Sequence, residues 1–219
     1  MTGRSSNNES GSTGEGHRIF AALYDPLGAS MERRWMGARR ERLLLGARGV
    51  VLEIGGGTGA NLSYYGDVDC VTVVEPDPFM RKRIGPKSLA AHVPVEVSAA
   101  GAEELPFSDG SFDTVVSTLV LCTVPDQGSA LQEIRRVLRP EGRLLFIEHV
   151  RASGSMARLQ DRIDPIRRRL VAGCHLNRDT VASMREAGFE IEAIERFYPP
   201  GLLSGITPHV QGSATVRCD

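Results

Sequence analysis

The residues most able to do chemistry lie in VLEIGGGTGAN, residues 51–61. There an apolar run carries Glu53 and then turns through Gly55, Gly56, Gly57 and Gly59. Glycine permits a tight turn and lets a ligand approach the backbone closely. Twenty residues past Gly55, the run VTVVE ends in Glu75, where a carboxylate can accept both hydroxyls of a ribose. Loop and acid together predict a site for an adenosine-containing ligand, against the plainer reading of a glycine-rich turn that binds nothing. Gly55, Gly57 and Ala60 also satisfy the looser dinucleotide pattern G-x-G-x-x-A, so spacing leaves two ligands open. Glu53 separates them by charge. A carboxylate just before the first glycine would repel a pyrophosphate, whereas it suits the ammonium end of S-adenosylmethionine.

A second group of candidates lies further along. His149, in IEHV at the end of an apolar run, falls where α/β sheets place their ligand crevice, so it is the first candidate to contact or deprotonate an acceptor. The alternative is a histidine that bonds a neighbouring loop. His175 in GCHLN and His209 in TPHVQG are candidate acceptor contacts, with structural roles as the alternative for each. Tyr24, before Asp25 and Pro26, is a further substrate candidate, or simply a packed tyrosine in a turn. Cys122 and Cys174 read as small core residues rather than nucleophiles. Cys70, Cys122, Cys174 and Cys218 contain no pair two to four residues apart. No structural zinc and no other metal is expected, and four free thiols are the expected state.

Positioning these groups requires a sheet. Between Val50 and Val150, short β-branched runs alternate with helical patterns, which predicts βαβ units around a parallel sheet. The expected strands are Val50 to Ile54, Cys70 to Val74, Val95 to Ser98, Thr114 to Thr118 and Arg143 to Val150, then Ile191 to Phe197 and Val210 to Val216. Helices are expected after Ala60, from near Asp77, and from Asp126 to Leu138 with RPEG as its stop. Two more are expected, Ser155 to Val171 and Asn177 to Ala187. The fold expected is a doubly wound, Rossmann-like α/β domain with seven strands, mostly parallel, the last antiparallel.

Ahead of the sheet, residues 1–16 are nearly all small and polar and read as a disordered tail. Residues 17–46 read as a cap of two short helices, and 47–219 as the main domain. Arg33, Arg34, Arg39, Arg40 and Arg42 read as a solvated helix face, or secondarily as an anion or lipid docking surface. The 219 residues carry 26 basic against 27 acidic side chains, so nucleic acid is not an implied partner. No apolar run of about 18 residues and no secretory leader is visible, which predicts a cytoplasmic protein without an integral membrane segment. Oligomeric state is not readable.

From about Ile19 to Val216 the chain resembles class I S-adenosylmethionine-dependent methyltransferases, first through AEELPFSDGSFDTVVST before and within the fourth strand. In that family the loop carrying Ala102 and Glu103 lies beside the adenine. Gly101 stands where the family commonly has Asp, so the adenine contact shifts to Glu103. The segments TLVLCTV, QEIRRVLRPEGRLLFIEHV, the DP pair, GCHLNRDT, REAGF and PHVQGSA are similar to the methyltransferase-like seven group of alkyl thiol methyltransferases and to bacterial small-molecule relatives. Three features depart from that group: no hydrophobic N-terminal anchor, GGGTG rather than GCGTG, and RPEG rather than RPGG. Loop, acid and resemblance together imply that Glu53, Gly55, Gly56, Gly57, Gly59, Asn61, Glu75, Pro76, Ala102, Glu103 and Thr118 bind the cofactor S-adenosylmethionine. The implied reaction is methyl transfer to a small-molecule acceptor, a thiol first, for which a dedicated base is optional because the free thiol is already partly ionised. The alternatives are methylation of oxygen, nitrogen or carbon on a natural product, quinone or phospholipid headgroup. From other classes come a non-catalytic S-adenosylmethionine-binding protein and an NAD-dependent dehydrogenase.

Overall fold

The computed structural model describes residues 32–170, 173–200 and 204–217. The expected tail, the first part of the cap with Tyr24 and Asp25, Val171, and Cys218 lie outside them. Seven strands form one sheet: β1 (Val50–Ile54), β2 (Cys70–Val74), β3 (Val95–Ser98), β4 (Phe112–Thr118), β5 (Leu138–His149), β6 (Phe189–Phe197) and β7 (His209–Val216). Their spatial order is β3-β2-β1-β4-β5-β7-β6. Neighbours from β3 to β5 pair in parallel, and β7 runs antiparallel to both β5 and β6. The last strand is thus inserted beside β5, and β6 is left at the edge.

Adjacent residues of the inner strands enter opposite cores, as a pleated sheet covered on both faces requires. Leu52, Val115 and Leu144 join the core on one face; Val51, Val116 and Leu145 join the other. The first face is closed by helices α3 (Gln127–Val137) and α5 (Thr180–Glu186), which contribute Leu131, Ile134 and Met184. The second is closed by α1 (Gly37–Leu44), entered through a wide π turn at Glu32–Met36, and by α2 (Pro78–Leu89). A further helix, α4 (Gly154–Leu170), follows β5.

Helix starts follow local chemistry. The Asp77 carboxylate accepts from the Phe79 and Met80 amides, with Pro78 in the first turn, and Asp126 does the same for Gly128 and Ser129. Two expectations need correction. After Ala60 the chain makes only a short turn, Leu62–Tyr64, because Tyr65 is already extended and buried to reach the site. RPEG stops α3 but does not delay the strand: Leu138 pairs with Phe112 at once, and the irregularity is absorbed where the register shifts between Phe112 and Thr114.

Candidate active site

The carboxyl ends of β1, β2, β4 and β5 converge on one edge, where an open α/β sheet forms its ligand crevice. At the end of β1 the loop turns with Gly55 at φ +56°, Gly57 at +57° and Gly59 at +79°, a backbone that residues with a side chain adopt only under strain. A Cβ added at Gly55 would press on Val120 at 2.7 Å, whereas one at Gly57 would meet only a backbone oxygen at 4.0 Å. Gly57 therefore borders open space, and Gly55 holds the loop against the segment that follows β4.

The two acids flank this loop. Glu75 accepts from the Gly57 amide at 2.7 Å and from the Asp77 amide at 2.9 Å, leaving one lone pair on each oxygen. Its pKa is raised, by burial above all. Glu53 is fully buried and accepts from the Tyr65 hydroxyl at 2.7 Å; burial pushes its pKa up to about 7, against the pull of Tyr65 and Arg40. A neutralising cation beside Glu53 would restore the carboxylate. Open space at Gly57 between two carboxylates fits a ligand with a ribose diol and an ammonium group.

Arg40 was expected on a solvated face, but it is only 6% exposed. Its Nη1 donates to Asn61 Oδ1 at 2.7 Å and to Thr118 Oγ1 at 3.0 Å, and its Nε pairs with Glu32. Asn61 Nδ2 donates to the same hydroxyl at 3.0 Å, so Asn61 and Thr118 brace the site through Arg40. Arg39 is also folded in: it lies 3.6 Å over the Phe197 ring and pairs with Glu195 and Gln211. Arg34 and Arg42 remain exposed as expected. Pro76 is an exposed loop residue, Ala102 is buried, and Glu103 reaches the Asp126 amide at 3.5 Å.

Beyond β4 the crevice changes character. Leu119 holds φ +61°, alone among the described non-glycine residues, and its amide donates to Ile147 O at 2.7 Å. Such strain clusters at functional sites. The buried Glu148 carboxylate accepts from the Ser117 hydroxyl and from the amides of Val120, Leu121 and Cys122, so the loop is fastened to β5. The next residue, His149, pairs in register with His209 across β5 and β7, and their rings stand 4.2 Å apart. His209 donates through Nδ1 to Thr207 O; burial, then the neighbouring His149, lower its pKa to about 3 and keep it neutral. Phe197 stacks on His209, and Trp35 meets both edge-on.

His149 and His209 are thus brought together, whereas His175 turns away toward the buried Asp164, 3.6 Å distant. Sequence spacing missed a third feature. His149 Nδ1 lies 3.3 Å from Cys174 Sγ, which lies 3.6 Å from Cys122 Sγ. Cys70, Cys122 and Cys174 are all free thiols. The bond shared with Cys122, and then His149, lower the Cys174 pKa; sharing that bond and burial raise that of Cys122.

A glycine turn between two carboxylates, on a parallel sheet with an inserted antiparallel last strand, is the architecture of class I S-adenosylmethionine-dependent methyltransferases. Residues 52–146 match the family described as methyltransferase domain. Human thiol S-methyltransferase TMT1B is 41% identical over 179 residues, 78% of this chain and 73% of that protein. Human thiol S-methyltransferase TMT1A is 35% identical over 89% of this chain and 82% of its own length. Among solved structures, geranyl diphosphate C-methyltransferase from Streptomyces coelicolor A3(2) is 15% identical with a TM-score of 0.65, covering 89% of this chain and 84% of that one. The chain belongs to the S-adenosylmethionine-dependent methyltransferase family, and its cofactor is S-adenosylmethionine.

Proposed function

We propose that this methyltransferase acts on the sulfur of a small alkyl thiol. The observation that carries the reading is the wall formed by His149, His209, Phe197 and Trp35, which is aromatic and contains a histidine held neutral. Such a wall excludes water and favours a compact, polarisable nucleophile over a strongly hydrated one. The similarity to two thiol S-methyltransferases over most of the chain supports the same acceptor.

Bound S-adenosylmethionine supplies a methyl group on a cationic sulfur. In our reading Glu75 holds the ribose hydroxyls, with Pro76 beside them, and Ala102 and Glu103 border the adenine. Glu53 meets the ammonium group, and Arg40, braced by Asn61 and Thr118, faces the carboxylate end. The chain then has mainly to align the acceptor with the methyl group, which is where an in-line displacement gains most. His149 and His209 form the acceptor wall, and His175 acts on it only through the loop it anchors. The described part of the cap, from Glu32 onward, covers this side, where Trp35 and Arg39 touch Phe197; Tyr24, the other substrate candidate, lies outside the described residues. Among the described residues no helix is long and apolar enough to cross a membrane, and the free thiols suit a reducing, cytoplasmic setting.

The test is methyl transfer to a panel of small thiols, a phenol and an amine, with donor binding measured by calorimetry in the same preparation. Turnover on the thiols is expected. Turnover on the phenol or amine alone, or none on any thiol despite bound donor, overturns the thiol reading.

A further inference from the structure

The geometry points to a metal site in which Cys122, His149 and Cys174 bind one zinc ion whose fourth position takes the acceptor thiol as thiolate. This inference rests on the thiol reading above and departs from the expectation that no metal is involved. The three ligand atoms all lie within 4.8 Å of one another. In a tetrahedral site with Zn–S of ~2.3 Å and Zn–N of ~2.05 Å, the edges are ~3.8 Å between sulfurs and ~3.5 Å from sulfur to nitrogen. The observed edges of 3.6 Å and 3.3 Å are close to these before any ion is present. The third edge, from His149 to Cys122, is no longer than 4.8 Å.

The surroundings hold this arrangement in place. The Cys122 amide is bonded to Glu148, and the Cys122 carbonyl accepts from the His175 amide at 2.8 Å, which fixes the Cys174 segment against the Cys122 loop. Arg178 donates to the carbonyls of Leu121 and Val124 on either side of Cys122. Two thiolates and an imidazole with an open position is a ligand set known for catalytic zinc, and soft sulfur ligands select zinc over magnesium or calcium. The site also lies where an acceptor would be needed, since Cys122 is two residues past Val120, against which the donor loop packs.

Charge balance fits an added thiolate. Zinc with two cysteine thiolates is neutral, and a third thiolate makes the centre singly negative. The Arg167 guanidinium lies within electrostatic reach of Cys174 and His149's partner His209, and its buried Nε has no hydrogen-bond partner. In the step, the acceptor R–SH binds zinc and releases its proton to solvent. A sulfur lone pair forms the new S–CH3 bond as the methyl–sulfonium bond breaks, and that bonding pair neutralises the donor sulfur to give S-adenosylhomocysteine. The neutral thioether then leaves the metal.

Freshly reduced protein would be titrated with zinc chloride and, separately, cobalt chloride, with S-adenosylmethionine affinity measured by calorimetry in metal-loaded and metal-free samples. One equivalent of metal is expected, with tetrahedral, thiolate-type cobalt bands that shift when 2-mercaptoethanol is added. Cys122→Ser and Cys174→Ser should each weaken zinc binding by about a hundredfold or more. Cobalt bands without thiolate character, bands indifferent to 2-mercaptoethanol, or a Cys122–Cys174 disulfide that forms in place of metal binding would overturn the proposal. The wild-type cobalt spectrum decides even where a variant fails to fold. Donor affinity that survives metal removal separates failure of the zinc site from failure of the methyltransferase reading.

Discussion

The proposed donor and acceptor ends of the crevice are built from opposite chemistries on one sheet edge. At the donor end, two buried carboxylates are held by backbone amides, a tyrosine hydroxyl and a buried arginine. At the acceptor end, two histidines, two thiols and two aromatic rings meet, and the buried carboxylate of Glu148 is spent on bonding the loop. In the proposed reading the donor end is thus set for a cation and a diol before either arrives. The acceptor end offers softness and dryness rather than charge.

Changes at the donor end should have the larger effect on binding. Gly57→Val should abolish detectable S-adenosylmethionine binding in calorimetry, because a β-branched side chain at φ +57° would fill the open space and add about 1 to 3 kcal/mol of backbone strain. Retained affinity in a folded Gly57→Val protein would show that the ligand does not pass there. Glu75→Ala should weaken donor binding by about 1.5 to 3 kcal/mol, roughly tenfold to more than a hundredfold. An unchanged dissociation constant would remove Glu75 from the donor site.

The two ends should also respond to pH with opposite sign. Glu53 has a folded pKa of about 7 above its ordinary 4.5, so the native state holds its proton longer and stability falls as pH rises through that window. His209, at about 3 below its ordinary 6.5, binds its proton mainly in the unfolded state, so stability falls as pH drops below 6.5. Each accounts for about 2 kcal/mol between pH 5 and pH 7, in opposing directions. Urea midpoints of donor-free protein across that range should show Glu53→Gln flattening the loss toward neutral pH, and His209→Gln flattening the loss toward acid. If both variants shift the same limb, the contrast fails. The smallest effect is expected from Arg39→Met, about 1 kcal/mol in the same unfolding assay, from the lost stacking on Phe197 and the pair with Glu195.

The strands and glycine loop of the proposed donor end were largely legible in the sequence because these groups are neighbours in the chain. Strands β1, β2 and β3 fall on the expected residues, and the loop and both acids lie within residues 53–75. Arg40 was not legible, since five arginines on a helical segment look solvated until the tertiary fold buries one beneath Asn61 and Thr118. At the acceptor end, His149 and His209 were candidates, but their register across β5 and β7 was not visible in either segment. The grouping of Cys122, His149 and Cys174 spans 52 residues between its two sulfurs, a separation that no local spacing rule for ligands reaches.

The insertion of β7 between β5 and β6 also has a consequence for biosynthesis. The ribosome releases β1 to β5 in an order that lets each join a neighbour already in place, because domains fold from the amino-terminal side as they emerge. Strand β6 emerges with an empty lane between it and β5, and only the final strand fills that lane. His209 arrives with the first residue of β7, so the aromatic wall is assembled last, well after β1, β2 and β4 have emerged.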